Sequence, residues 1–207
     1  ARPVPFEADI QAFELVDAAF PPPTCSTLFV GSSSIRLWRS LADDFSDRRV
    51  INRGYGGSTI ADTVRFFDRI VTPYAPRAIV FYAGENDLAQ GRSPRQVFRD
   101  LENLLKLKRE RLGDTPMWVI SLKPSPSRWA QREQQIAFNT MARELALTEN
   151  DLAYIDVASP MLTPAGTPKD IYGPDRLHMR ASGYQIWTAL VRAALQDVPP
   201  PARCRTR

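Results

Sequence analysis

The chain has 207 residues, 43% of them hydrophobic and 24% charged, which suits one ordinary globular domain with a sizeable core. Its apolar runs fall well short of the ~20 residues that cross a bilayer, which excludes a transmembrane helix on the sequence. The formal net charge of +4 comes mostly from arginines interleaved with acids, the pattern of solvated helix faces, and this argues against a nucleic-acid partner.

The chain begins with alanine rather than methionine and shows no charged-then-apolar leader, which predicts a processed or trimmed polypeptide. Residues 1–25 read as an extension lying on the domain, with proline clusters flanking one amphipathic segment from Phe6 to Phe20. Thr27-Leu28-Phe29-Val30 is a short buried strand ending at Gly31, and Val50-Ile51 marks a second. A helix starts at Ser58 or Thr59, and Ile60, Val64, Phe67 and Val71 form its apolar stripe. Ala78-Ile79-Val80-Phe81-Tyr82 is a third strand. Ser93, Pro94 and Gln96 then give a capping serine, a proline at the first helical position and a capping-box glutamine. The stripe of that helix is Val97, Leu101, Leu104, Leu105 and Leu112. Met117-Trp118-Val119-Ile120 and Ala153-Tyr154-Ile155-Asp156-Val157 are further strands, separated by a helix over about 131–147. The last helix presents Tyr184, Trp187, Val191, Ala194 and Leu195 inward. Domain 26–198 is followed by a basic, proline-rich tail, 199–207, with little structure of its own.

Continuous β-branched and aromatic runs suit strands buried on both faces. Strand and helix in alternation imply parallel strands joined by right-handed crossovers. Five such strands predict an open α/β sheet with helices on both sides, a three-layer α/β/α sandwich. In such sheets ligands sit beyond the carboxyl ends of the strands, so functional residues should follow strands.

Four polar clusters follow strand ends or lie before the last helix: Gly31-Ser32-Ser33-Ser34, Gly54-Tyr55-Gly56-Gly57-Ser58, Gly84-Glu85-Asn86-Asp87 and Asp175-Arg176-Leu177-His178. Taken singly, a serine run is usually a helix cap, loop glycines usually serve turns, and a lone histidine is often structural. Together they make an acyl-transfer set. A serine hydroxyl needs a base to take its proton, and His178 is the one histidine of the chain. A histidine base needs an orienting carboxylate, and Asp175 lies three residues earlier, within reach on one turn. Glycine N–H groups of the second cluster, the Asn86 amide and the N–H of Ser33 are candidates for holding an oxyanion.

At these residues the chain resembles the SGNH, or GDSL-type, lipase/acylhydrolase superfamily, matching its four blocks from about residue 27 to 195. The block Gly-Asp-Ser reads Gly31-Ser32-Ser33, so the resemblance gives Ser33 the nucleophile role. The oxyanion glycine of the second block falls on Gly57, with Gly56 beside it. Gly-x-Asn-Asp is intact at 84–87 and gives Asn86 an oxyanion role; Asp-x-x-His is intact from Asp175 to His178. The resemblance implies a flavodoxin-like five-stranded sandwich and ester hydrolysis without metal or cofactor. Ser32 stands where the family carries aspartate, which questions how the nucleophile turn is braced.

Other readings compete. A Gly-Ser-Ser-Ser turn at a helix start could cradle a phosphate or flavin, but that leaves the Asp175–His178 pair and the Gly-x-Asn-Asp loop without a role. The Gly-x-Ser-x-Gly elbow of α/β-hydrolases is broken by Ile35. A catalytically dead carbohydrate- or lipid-binding relative would not be expected to keep the whole triad. An acyltransferase would use the same acyl-serine as a hydrolase. Short-chain esters, acetylated sugars and lysophospholipids are all candidate substrates. Loops 123–131 and 159–174 are expected to shape their pockets, with Trp129, Tyr172, Met161 and Leu162 as wall residues.

Cys25 precedes the first strand, whose far end carries the catalytic turn, so it belongs on the sheet edge opposite the site. From His178 the last helix descends over about fourteen residues, or ~20 Å, toward that same edge, and Cys204 follows it. The topology therefore predicts a Cys25–Cys204 disulfide, which favours a periplasmic or secreted protein over a cytoplasmic one.

Overall fold

A computed structural model describes residues 4–196 and Cys204. The sheet comprises β1 (Thr27–Gly31), β2 (Val50–Gly54), β3 (Ala78–Tyr82), β4 (Met117–Ile120) and β5 (Leu152–Ile155), all parallel, in the order β2-β1-β3-β4-β5. The central strands β1 and β3 are buried at every residue, which is why their sequences are apolar without alternation. The edge strands β2 and β5 are only partly covered, and this admits Asn52 and Arg53 in the former.

The helices are α1 (Glu7–Ala19), α2 (Ser33–Arg36), α3 (Leu41–Asp44), α4 (Ile60–Ile70), α5 (Glu85–Ala89), α6 (Pro94–Leu112), α7 (Arg132–Thr148) and α8 (Ala181–Ala194). α4, α6 and α7 pack side by side, with α1 beside α4. On the other face α3 and α8 meet around Trp38, whose indole N–H donates to Asp44, as does the Thr188 hydroxyl. The result is a three-layer α/β/α sandwich, as the sequence predicts. Among the described residues no helix is long and apolar enough to cross a membrane.

The capping box of α6 forms as predicted from Ser93 and Gln96, and Val97, Leu101, Leu104, Leu105 and Leu112 are all buried. The stripe of α4 needs correction. Ile60, Phe67 and Val71 are buried as predicted, but Val64 is only partly covered, and Thr63, Phe66 and Ile70 complete the buried face. Thr63 can turn inward because its hydroxyl reaches the Thr59 carbonyl, at 3.5 Å. On α8, Tyr184, Trp187 and Val191 are buried, while Ala194 is only partly so.

α1 is held by both core and charge, with Phe6 and Phe13 also packed against the core. Ile10 is its one buried residue, whereas Arg69 pairs with Glu7 and Glu14, and Arg53 pairs with Asp17. Phe6 meets Tyr55 edge-on, with ring centroids 5.4 Å apart.

Cys25 and Cys204 form a disulfide, their Cα atoms 5.6 Å apart; the rest of the predicted tail, 199–203 and 205–207, lies outside the described residues. The bridge closes a loop of 179 residues in sequence separation. Chain-entropy reasoning puts its contribution at about 5 kcal/mol, as an upper figure. A Cys25→Ser, Cys204→Ser variant is expected to show a clearly lower urea midpoint than the oxidised protein. Equal midpoints would mean that closing the loop contributes nothing to stability.

Candidate active site

All four polar clusters converge at the carboxyl edge of the sheet, where β1 lies between β2 and β3. At Gly31 the backbone takes φ +143°, and a Cβ there would lie 2.0 Å from the Tyr82 carbonyl oxygen. Only glycine lets β1 pass the end of β3 this closely. Ser32 then donates its N–H to that carbonyl at 2.9 Å, and Ser33 opens α2.

Ser32 makes no side-chain cap bond to α2. The turn is braced from outside instead. Tyr184 donates its hydroxyl to the Ser34 carbonyl at 2.9 Å, and Asn52 donates its amide to the Ile35 carbonyl at 2.7 Å. The Asn52 side-chain oxygen accepts from Gly54 N–H at 2.8 Å, which couples the first loop to the second.

Gly54 gives the same kind of close approach, since a Cβ would lie 2.2 Å from the Arg36 nitrogen. Gly57 has φ +83°, and the Ser58 hydroxyl is buried between the Tyr55 and Gly31 carbonyls. In the third loop the Asn86 amide donates to the Ser58 carbonyl at 3.0 Å. An amide carries two N–H donors, so the second is free for another acceptor. Asp87 is fully buried and accepts from Ile60 N–H at 3.3 Å; burial pushes its carboxyl up to about 6. Behind Asn86, Glu85 is buried against the ammonium of Lys123 and the hydroxyl of Tyr82.

The fourth cluster is a tight turn. Gly173 N–H donates to the His178 carbonyl, Arg176 N–H donates to the Gly173 carbonyl, and Arg176 takes φ +57°. One oxygen of Asp175 accepts from the N–H groups of Leu177 and His178, each at 3.0 Å. These two donors, more than the imidazole, hold the carboxyl down at about 2. Its other oxygen lies 2.5 Å from His178 Nδ1. With Nδ1–H donating there, Nε2 is the acceptor for the Ser33 hydroxyl at 2.9 Å. The predicted residues Ser33, His178, Asp175, Gly57 and Asn86 thus come together at one place.

A cleft of about 330 Å³ opens over Ser33 and His178, lined also by Asp9, Arg36, Gly56, Gly57, Asn86 and Leu177. The predicted wall residues are not part of it. Met161 and Tyr172 are core, the latter donating its hydroxyl to the Pro124 carbonyl, while Leu162 bridges to Pro168 and Trp129 is exposed elsewhere. Sequence reasoning missed Asp9, Arg36 and Leu177. Arg36 was open to discovery, because on a helix it shares a face with Ser33 three residues earlier. Asp9 gave no signal, since nothing in the sequence says where α1 docks.

The fold is a small three-layer α/β/α sandwich with a Ser33–His178–Asp175 series at its strand ends. The chain belongs to the GDSL-like lipase/acylhydrolase family, whose model matches residues 26–186, and it is an ester-hydrolysing enzyme. A search among curated proteins finds no significant match. Among solved structures, a protein of Bacteroides fragilis NCTC 9343 assigned as an acylhydrolase is 22% identical. It superposes with a TM-score of 0.79 over 91% of this chain and 96% of that one. A GDSL-like lipase of Bacteroides thetaiotaomicron VPI-5482 is 23% identical, with a TM-score of 0.75 over 93% and 99%. A carbohydrate esterase family 3 protein of Talaromyces cellulolyticus is 18% identical, with a TM-score of 0.67 over 82% and 95%. At such identities these likenesses speak to the fold.

Proposed function

We propose that the chain cleaves carboxylic esters through an acyl-serine on Ser33. The observation that carries this reading is the hydrogen-bonded series Asp175–His178–Ser33, with links of 2.5 and 2.9 Å. His178 takes the hydroxyl proton as Oγ attacks the ester carbonyl, then gives it to the departing alcohol. Water attacks the acyl-serine in the second half, losing its proton to His178, and the acid and free Ser33 result. Asp175 fixes the imidazole so that Nε2 faces the serine, and its two backbone donors keep it ionised.

Negative charge on the tetrahedral oxygen is met by the N–H groups of Ser33 and Gly57 and by the Asn86 amide. The positive φ of Gly57 supports this role, because it lets the loop turn in a conformation that a side chain would strain. Short-chain esters, acetylated carbohydrates and lysophospholipids are the candidate substrates. The Cys25–Cys204 bridge supports placing the enzyme in an oxidising compartment, periplasmic or secreted.

Asn86→Ala tests the arrangement. It is expected to lower kcat by ~10²–10³ with little change in KM, because its free N–H bonds most strongly to the charged intermediate. A change confined to KM would make Asn86 a substrate-binding residue and overturn the assignment.

A further inference from the structure

Two cleft residues lie outside the four motif clusters and carry opposite charges: Asp9 on α1 and Arg36 on α2. We propose that they form an alcohol-binding subsite selecting an uncharged, hydroxyl-rich alcohol, the ester of a polyol or monosaccharide. This rests on the reading of Ser33 as nucleophile.

Both residues are exposed at the rim of the cleft, on elements whose backbone is fixed. α1 is fixed by the burial of Ile10, by the Phe6–Tyr55 contact and by the pairing of Glu7 and Glu14 with Arg69. Asp9 therefore rides on a docked helix. The guanidinium of Arg36 lies against Gly56, where a Cβ would be 3.2 Å from Nη2 and 3.3 Å from Cζ and Nε. Glycine at 56 leaves the room for that planar group. Among the described residues, neither the Asp9 carboxylate nor the Arg36 guanidinium makes a side-chain hydrogen bond or ion pair. Their polar atoms are available to a ligand.

The chemistry of the pair narrows that ligand. An alcohol carrying a single charge is attracted by one member of the pair and repelled by the other, so its charge brings it little net gain. A hydroxyl is both donor and acceptor, so neighbouring hydroxyls can give a hydrogen bond to the carboxylate and accept one from the guanidinium. A long acyl chain finds little here. Among the described residues lining the cleft, Leu177 is the one aliphatic side chain, so added methylenes would stay largely in water. At about 330 Å³ the cleft is near the lower end of ligand sites, matching a short acyl group on a monosaccharide-sized alcohol.

The test is the ratio of kcat/KM on a mono-O-acetylated monosaccharide to that on ethyl acetate, measured in wild type, Asp9→Ala and Arg36→Met. Wild type is expected to prefer the sugar ester. Each variant should reduce that preference at least tenfold, mainly through KM of the sugar ester. Because both substrates are read in the same protein sample, partial unfolding cancels from the ratio. No preference in wild type, or a preference unchanged in either variant, would overturn the subsite while leaving ester hydrolysis at Ser33 intact. Failure of wild type to cleave any ester in the comparison would instead overturn the underlying reading.

Discussion

Replacing Ser33 with alanine is expected to lower kcat for ester hydrolysis by roughly 10⁴–10⁶, leaving only what the oxyanion donors and binding supply. The size follows from covalent chemistry. Without Oγ there is no atom for the acyl group to occupy, and His178 can only assist water directly. A fluorophosphonate should label Ser33 in the native protein and leave the variant unlabelled. The neighbouring Ser34 provides the control for register. Its side chain is buried, whereas Ser33 is partly open and bonded to His178 Nε2. Ser34→Ala should therefore keep its labelling. Full hydrolysis by Ser33→Ala, or loss of labelling only in Ser34→Ala, would refute the assignment.

The second large effect is on stability. Lys123 and Glu85 are 1% and 6% exposed, and Glu85 also accepts from the Tyr82 hydroxyl at 2.5 Å. Burial, reinforced by the charge of Glu85, pushes the Tyr82 hydroxyl well above its usual range, so it stays a donor. Lys123→Met removes the cation and leaves a carboxylate in the interior, a loss expected to cost about 3–5 kcal/mol. Removing both charges in Lys123→Met, Glu85→Gln should recover most of that, since an uncharged pair leaves no stranded charge. Urea unfolding of the two variants checks this. A single variant as stable as wild type, or a double variant no better than the single, would show that the pair is not a coupled buried charge pair. Glu85 is also the first residue of α5 and directly precedes Asn86, so the same disruption should reach the oxyanion loop.

Much of this was legible in the sequence, for physical reasons that also explain what was not. The β3 and β4 strands stood out because burial on both faces demands unbroken apolar residues. The four motif clusters were placed correctly because the doubly wound topology brings strand ends to one edge. The single-turn helices α2, α3 and α5 have four or five residues each, too few to display a period. In α4, an apolar stripe starting at Ile60 can run through residue 63 or 64, and hydrophobicity alone favours Val64. Phe66 and Ile70 set the buried face, and the Thr63 hydroxyl is accommodated there by reaching the preceding turn. The cleft walls were misplaced because apolar loop residues were sought, whereas the lining residues are mostly polar residues and glycines and come partly from α1. Part of that helix's docking is by ion pairs between residues as distant as Glu7 and Arg69, and such pairs leave no pattern in sequence.

The bridge between Cys25 and Cys204 has a mechanical consequence. It turns everything from the start of β1 to beyond α8 into a covalent ring. Tension applied to the two ends of the polypeptide passes from one sulfur to the other and bypasses the sheet. α1 can be peeled from its ion pairs, but the strands that carry Ser33 and Asn86 bear no load until the bond is reduced.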